Sequence, residues 1–289
     1  MAIEGVPLEY QRHAEVFDEE ASKQLPHSQG CHDISIDLKP GTPYGINCKV
    51  YPLTEQGKVT TLQFLKEHED KGYIEKTSSW YSSPWFLIPK KDGTSRPVQD
   101  YRKVNEWTIP DTYPLPRIET ILEQLHGKTI FTALDVRWEY HNIHIKEDDQ
   151  WKAAFKTPDG LYKPKVMFFG LHNSPAMFQC FMDDSFADLV NKYPGQILIY
   201  MDDILLCSNN LMELCLITHK VLDCTAKLSL FFKPLKCHFE KDHIQYLGIK
   251  VCDGKILIDP MKRNGLASWP TVLKNVANVR STLGVLGYQ

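Results

Sequence analysis

The sequence predicts an α+β fold. Segments with helical period and segments with strand period intermix along it, and most strand candidates form hairpin pairs joined by tight turns. That pattern suits antiparallel sheets with helices packed on them and argues against a doubly wound parallel sheet. The 289 residues, 43% hydrophobic and 24% charged, supply a core for one or two domains and exclude a mainly disordered chain. No apolar run approaches the ~20 residues of a membrane span. The start MAIEGVPLEYQRHAEVFDEE lacks the features of a secretory signal, so a cytoplasmic protein without a membrane partner is expected. Eight cysteines without a C-x-x-C pair suggest neither a zinc ribbon nor a disulfide scaffold.

Taken in order, residues 1–52 read as an acidic leader, mostly loop draped on a larger body, with KPGTPYG as its turn-rich stretch. Val59, Leu62 and Leu65 give a helix over 55–71 its apolar stripe, and Gly72 its stop. WFLIPK, KDGT and SRPVQDY form a hairpin pattern with Lys90, Lys91 and Arg96 at its tip. Ile118, Ile121, Leu122 and Leu125 share a helix face ahead of the strand TIFTALDV. HNIHIK, WKAAF and KVMFF are strand candidates. Ser174 followed by Pro175 is a helix start, an N-cap and then a residue whose missing N–H costs nothing there. QILIYMDDILLCS has the shape of a tight hairpin with two aspartates in its turn. A helix over 211–228, the strand pair IQYLGIKV and KILI joined at Asp253–Gly254, and a helix from about 272 complete the order.

The net charge of -3 is unevenly spread. Residues 1–40 carry eight acids against three bases, whereas Phe86–Lys103 holds five bases against two acids, a density suited to phosphate. Asp202 and Asp203 follow the apolar run Ile197–Met201 directly, and Asp135 ends another apolar strand. Three carboxylates converging at strand ends repel one another unless cations neutralise them, and two magnesium ions there support two-metal phosphoryl transfer. Residue types alone leave alternatives open: a solvated hairpin turn for Asp202–Asp203, a cap or loop carboxylate for Asp135, and a solvated hairpin for Lys90 and Arg96.

From about Val16 onward the chain resembles the reverse transcriptases of gypsy-class long-terminal-repeat retrotransposons. The blocks VFDEEASKQLP, IDLKPGTP, KKDGTSRPVQDYRKVN, YPLPRIETILEQL, FTALDVRWEYHNIHIKEDDQWKAAF, VMFFGLHNSPAMFQ, YMDDILL, LKCHFEKDHIQYLG and SWPTVLKNVANVRSTLGVLGY occur in the family's order. The resemblance implies a right-hand polymerase: leader over 1–52, mainly fingers over 53–134, mainly palm with an antiparallel sheet over 135–249, and a partial, truncated thumb over 250–289. It implies an RNA-directed DNA polymerase with two Mg2+ ions, replaceable by Mn2+, held by Asp135, Asp202 and Asp203. Lys90 and Arg96 match residues that grip the incoming dNTP. Tyr140 matches the side chain that excludes a ribose 2'-hydroxyl, although its spacing alone fits a core tyrosine equally well. Tyr200 and Met201 match positions beneath the primer terminus, and Gly170, Pro175 and Gln179 match the segment lining template and nucleotide. Gly170 also reads as a plain loop-to-helix turn. Lys236 takes the place of the lysine that protonates the leaving pyrophosphate, or is a surface lysine. Tyr246, Leu247 and Gly248 fall at the primer grip. His141, His144 and His172 read as surface or packing residues without metal-ligand spacing. The implied partners are an RNA or DNA template with primer, dNTPs, and the protease, ribonuclease H and integrase modules of a parent polyprotein. The implied location is the cytoplasm, including virus-like particles.

Two departures favour a rival, a decayed fragment that binds nucleic acid weakly without chemistry. The chain stops within the thumb motif, and Glu139 stands where the family has a small residue before the tyrosine gate. A carboxylate near the sugar and triphosphate repels the substrate. Glu139→Gly is therefore expected to raise the rate of primer extension or the affinity for nucleotide, measured side by side with the unaltered chain; no gain in either counts against a damaged pocket.

Overall fold

The computed structural model describes residues 3–258 except 29, 91, 92, 248 and 253, and omits the side chains of 139, 256 and 258. Its elements are β1 (Ile46–Asn47), α1 (Glu55–Asp70), β2 (Ile74–Lys76), β3 (Tyr81–Pro89), β4 (Ser95–Gln99), α2 (Arg102–Trp107), α3 (Ile118–Leu125) and β5 (Ile130–Asp135). Then come β6 (Phe155–Thr157), β7 (Gly160–Pro164), α4 (Ser174–Lys192), β8 (Ile197–Tyr200), β9 (Asp203–Ser208) and α5 (Leu211–Lys227). The last are β10 (His238–Lys241), β11 (His243–Tyr246), β12 (Ile249–Cys252) and β13 (Lys255–Ile258), and 3-10 segments fill several connections. The expected helix from about 272, most of the thumb stretch, Lys91 and Gly248 lie outside the described residues.

The expected α+β class holds. A four-stranded antiparallel sheet in the order β10-β5-β9-β8 forms the centre. β5, β8 and β9 read as nearly continuous apolar runs because both faces are covered, whereas β10 (HFEK) buries only Phe239. Leu134, Ile197, Ile199, Ile204 and Leu206 join Phe178 and Phe186 of α4 and Ile217 and Val221 of α5 in one cluster. The alternate residues Phe131, Leu198, Leu205 and Cys207 join Ile121 and Leu125 of α3 and Ile244 and Val251 of the β11–β12 hairpin in a second. A six-stranded sheet follows the order β1-β3-β6-β7-β2 with β4 on β3; its β1–β3 and β3–β6 pairings are parallel, so this sheet is mixed.

Several local expectations are corrected. Helix α1 forms, capped by Thr54 Oγ1 accepting from the Gly57 N–H at 3.1 Å, but Val59 and Leu62 are exposed. The inward face is Gly57, Thr61, Leu65 and His68. Thr61 points inward because its hydroxyl accepts the Trp85 indole N–H at 3.0 Å, and a Cβ at Gly57 would meet Leu87 Cδ1 at 3.2 Å. Polar and small residues thus occupy the contact face, where a search for apolar period cannot see them. HNIHIK is no strand: a 3-10 segment spans Glu139–Asn142, and only single bridges pair Ile34 with Ile145 and His144 with Val166. WKAAF is mostly the end of the 3-10 segment Glu147–Ala153, and β6 begins at its Phe155; Val166 in KVMFF makes that one bridge. IQYLGIKV breaks into β11 and β12 at Leu247, whose φ is 48°. Asn173 takes the N-cap position of helix α4 with Ser174 already inside it, one residue from expectation, and the Asn173 side chain makes no capping bond.

The leader is mostly irregular and lies on the larger body, as expected. Its 3-10 segment Leu8–Phe17 packs on α5, and Tyr10, Val16, Phe17, Ile34 and Ile36 are buried. Its acids face solvent while the apolar residues between them enter the core, so an acidic composition concealed a structural element.

An aromatic nest lies under α1. His68 stacks on Phe64 with centroids 3.7 Å apart, and His141 lies 4.7 Å from the Phe168 ring. Burial lowers both imidazoles, His68 to about 4 and His141 to about 3, with the Lys71 ammonium adding to each. The folded protein therefore keeps them neutral, whereas the unfolded chain takes up protons near 6.5. Stability present above pH 6.5 is expected to fall as pH drops toward 4, by on the order of 3 kcal/mol per ring. Urea midpoints across this range check it. The double variant His68→Phe with His141→Phe is expected to flatten that acid limb, and an unchanged slope refutes the assignment.

Candidate active site

Strand β5 ends at Asp135, and β9 begins at Asp203 directly opposite it. Register therefore sets two carboxylates side by side. The Val136 N–H donates to the Asp202 carbonyl at 2.9 Å, which ties the β8–β9 turn to the end of β5. One carboxylate oxygen from each of Asp135, Asp202 and Asp203 lies within 4.8 Å of the other two. Burial, and then the charges of Asp202 and Asp135, push Asp203 up to about 6. A hard divalent cation, which takes oxygen ligands, fits a cluster whose charge is this crowded.

Lys233 Nζ donates to Asp135 Oδ1 at 2.7 Å, and Lys236 Nζ to Oδ2 at 3.4 Å. The Lys233 N–H also donates to the Asp135 carbonyl at 3.0 Å, so the backbone fixes this contact. The sequence reading singled out Lys236 and passed over Lys233. The available signal was two lysines three residues apart in KPLK.

The turn carrying Met201 and Asp202 joins Tyr200 to Asp203, which pair across the hairpin. Met201 has φ 57°, a left-handed conformation usual for glycine at the first central position of such a turn. Gln179 of α4 holds it: Oε1 accepts the Met201 N–H at 2.7 Å. Nε2 donates to Asp183 Oδ1 at 2.8 Å, and the Tyr113 hydroxyl donates to Asp183 Oδ2 at 2.7 Å. Gln179 is fully buried beneath the turn.

Around the carboxylates, Tyr246 is buried and its hydroxyl donates to the Asp203 carbonyl at 3.3 Å. Tyr246, Leu247, Lys236, Asp135 and Asp203 line a cleft of about 310 Å³. Tyr140 is buried with its ring edge-on to Phe169 at 4.7 Å and to Phe178 at 6.0 Å. The Arg96 guanidinium sits 4.8 Å over the Phe169 ring, so Phe169 links the β3–β4 hairpin to Tyr140. Phe169 was not anticipated. Lys90 is exposed at the hairpin tip, where its N–H donates to the Thr94 carbonyl at 2.7 Å. Gly170 has φ 99°, and a Cβ there would stand 3.4 Å from the Gln99 carbonyl oxygen, so both conformation and space favour glycine. Pro175 occupies the first turn of α4. His141 is buried, His144 Nε2 bonds the Pro26 carbonyl at 2.6 Å, and His172 is exposed, none of them in the carboxylate cluster.

The chain spans under a quarter of the curated relatives it matches. It is 36% identical over 252 residues to the retrovirus-related Pol polyprotein from transposon 297 of Drosophila melanogaster, covering 84% of this chain and 23% of that protein. It is 28% identical over 284 residues to the transposon Tf2-3 polyprotein of Schizosaccharomyces pombe, covering 98% of this chain and 21% of the relative. A foamy viral protease-reverse transcriptase in complex with dsDNA superposes with a TM-score of 0.82 at 20% identity, over 97% of this chain and 57% of that one. The foamy viral enzyme in complex with RNA/DNA hybrid gives 0.80 at 20% identity, over 96% and 36%. Both share the α+β fold described above. The sequence profile of the family described as reverse transcriptase (RNA-dependent DNA polymerase) matches residues 88–251, more than half of the chain and inclusive of all three clustered aspartates. On that match, the chain belongs to the reverse transcriptase family.

Proposed function

We propose that this chain is the polymerase segment of a gypsy-class retrotransposon Pol polyprotein and adds dNTPs to a primer 3'-hydroxyl on an RNA or DNA template. The observation that carries this is the meeting of Asp135, Asp202 and Asp203 at one end of the central sheet. Those carboxylates would hold two magnesium ions, or manganese in their stead, which supply activation of the attacking hydroxyl and charge neutralisation at the triphosphate. Lys233 and Lys236 fix the orientation of Asp135, and Lys236, at the cleft, donates a proton to the departing pyrophosphate. Lys90 and Arg96 grip the triphosphate from the β3–β4 hairpin, and Phe169 sets the height of that hairpin over Tyr140. Tyr140 lies under the sugar and excludes a 2'-hydroxyl. Tyr200, Met201 and Gly170 border primer end and base pair, with Pro175 starting the helix behind them. Tyr246, Leu247 and Gly248 form the primer support.

In this reading residues 53–134 are mainly fingers, 135–249 mainly palm, and the following residues enter a thumb. Protease, ribonuclease H and integrase modules accompany the segment in its polyprotein, in the cytoplasm and within virus-like particles. Glu139 alone favours the second reading, a remnant that binds nucleic acid without chemistry.

Primer extension on poly(rA)/oligo(dT) with magnesium or manganese separates the two. Asp202→Asn is expected to lower the rate on the order of 100-fold, about 3 kcal/mol of barrier. Equal signals from variant and parent would sink the polymerase reading, and a salt-sensitive gel shift without extension supports the remnant. Gln179→Ala gives a separate check on the turn. It leaves the Met201 N–H without its acceptor, at a cost of roughly 1–3 kcal/mol in stability. Primer extension by this variant is expected to lose kcat with the KM for dNTP nearly unchanged. A change confined to KM would instead place Gln179 against the nucleotide.

A further inference from the structure

A second cluster of metal-binding side chains lies apart from the catalytic carboxylates, where the leader meets helix α4. Cys180 and Asp184 stand four residues apart on α4 and so share one face of it. The 3-10 segment Gly30–His32 delivers His32 to that face. His32 Nε2 is 3.9 Å from Asp184 Oδ2, and Cys180 Sγ is 3.8 Å from the same oxygen. One donor atom from each of the three side chains lies within 4.8 Å of the other two. An edge contact with Phe181, centroids 5.6 Å apart, orients the His32 ring.

One imidazole nitrogen, one sulfur and one carboxylate oxygen make a donor set that zinc accepts and magnesium disfavours. Tetrahedral zinc with bonds of ~2.0–2.3 Å separates its ligand atoms by about 3.3–3.6 Å, so side-chain rotations of around an ångström would close the site. The surroundings favour a cation: Asp184, Asp111 and Asp183 all add negative charge about the Cys180 sulfur, and together with burial they raise its thiol. The remaining group of this kind, Glu9, Cys215 and Glu240, has no imidazole, and the Tyr10 hydroxyl already occupies Glu240 at 2.5 Å.

We propose that His32, Cys180 and Asp184 bind one zinc ion that fastens the leader to helix α4. On binding, Cys180 releases its thiol proton to water and ligates as thiolate. The three side chains replace three waters of the hydrated ion, and a water keeps the fourth position. No electron transfer is involved. The site lies on the helix that holds the catalytic turn through Gln179, so zinc would brace that helix from the leader side.

Cobalt(II) titration of the reduced full chain tests this, because cobalt on a thiolate gives a near-ultraviolet charge-transfer band that carboxylates alone do not. The band is expected in the parent and in Cys215→Ser, to disappear in Cys180→Ser, and to bleach when zinc is added. Zinc competition against a chromophoric chelator supplies the second reading. Asp184→Asn alters a side chain that is 62% exposed and is expected to weaken zinc roughly tenfold or more without unfolding the chain. A band that survives in Cys180→Ser, a parent with no band, or zinc affinity in Asp184→Asn within twofold of the parent would each overturn the assignment.

Discussion

Repulsion among three carboxylates is the constraint that shapes the middle of this protein. Register places Asp135 opposite Asp203, and the adjoining turn brings Asp202 to the same edge. No single charge pair relieves such a cluster. The Asp203 carboxyl is held high by burial and by its two neighbours. Two lysines engage Asp135 from a segment that the backbone pins to the end of β5. A group raised by its own kind is a place where a divalent cation gains the most, since it converts mutual repulsion into shared attraction. The stability cost of the cluster and the phosphoryl chemistry proposed for it therefore have one electrostatic origin.

Rigidity around the carboxylates comes from side chains outside the cluster. Helix α4 reaches under the β8–β9 turn through Gln179, and the chain from Tyr113 through Asp183 to Gln179 to the Met201 N–H leaves the buried amide fully bonded. Met201 can then keep a left-handed backbone at a position where glycine would be freer to relax. On the other side, Arg96 lies over the Phe169 ring and Phe169 meets Tyr140 edge-on, which links the hairpin to the pocket wall. Arg96 pairs with Ile88 close to the turn of the hairpin, so this contact holds it there while Lys90 stays exposed.

The central strands were legible in the sequence because both sheet faces are covered, which writes long apolar runs ending in aspartate. The carboxylate cluster was legible for the same reason: where a buried strand stops, its next side chain is at an edge. Helix α1 was legible through the spacing of Val59, Leu62 and Leu65 and the stop at Gly72, yet its inward face was misread, since Thr61 and Gly57 pack by a hydrogen bond and by small size, which hydropathy does not register. The N-cap position falls at Asn173, not Ser174, and its side chain does not cap: it accepts the Asp111 N–H and donates to the Ile109 carbonyl, distant contacts that the local sequence does not show. Lys233 and Phe169 escaped notice because their roles arise from contacts with residues about 98 and 73 positions away in sequence.

The leader lies on the larger body as expected, and its buried apolar residues also support the site. Val16 accepts the Phe232 N–H at 2.8 Å, and the Phe17 ring lies 6.1 Å from that of Phe232. Phe232 bridges Val136, and the next residue is Lys233, whose ammonium rests on Asp135. Arg137, just beyond Val136, reaches back to Glu19 of the leader at 3.5 Å. The leader therefore backs the strand that aims Lys233. Most of its acids are exposed, so the uneven charge of the chain is a division of labour: buried apolar leader residues brace the site from within and leave an acidic surface outside.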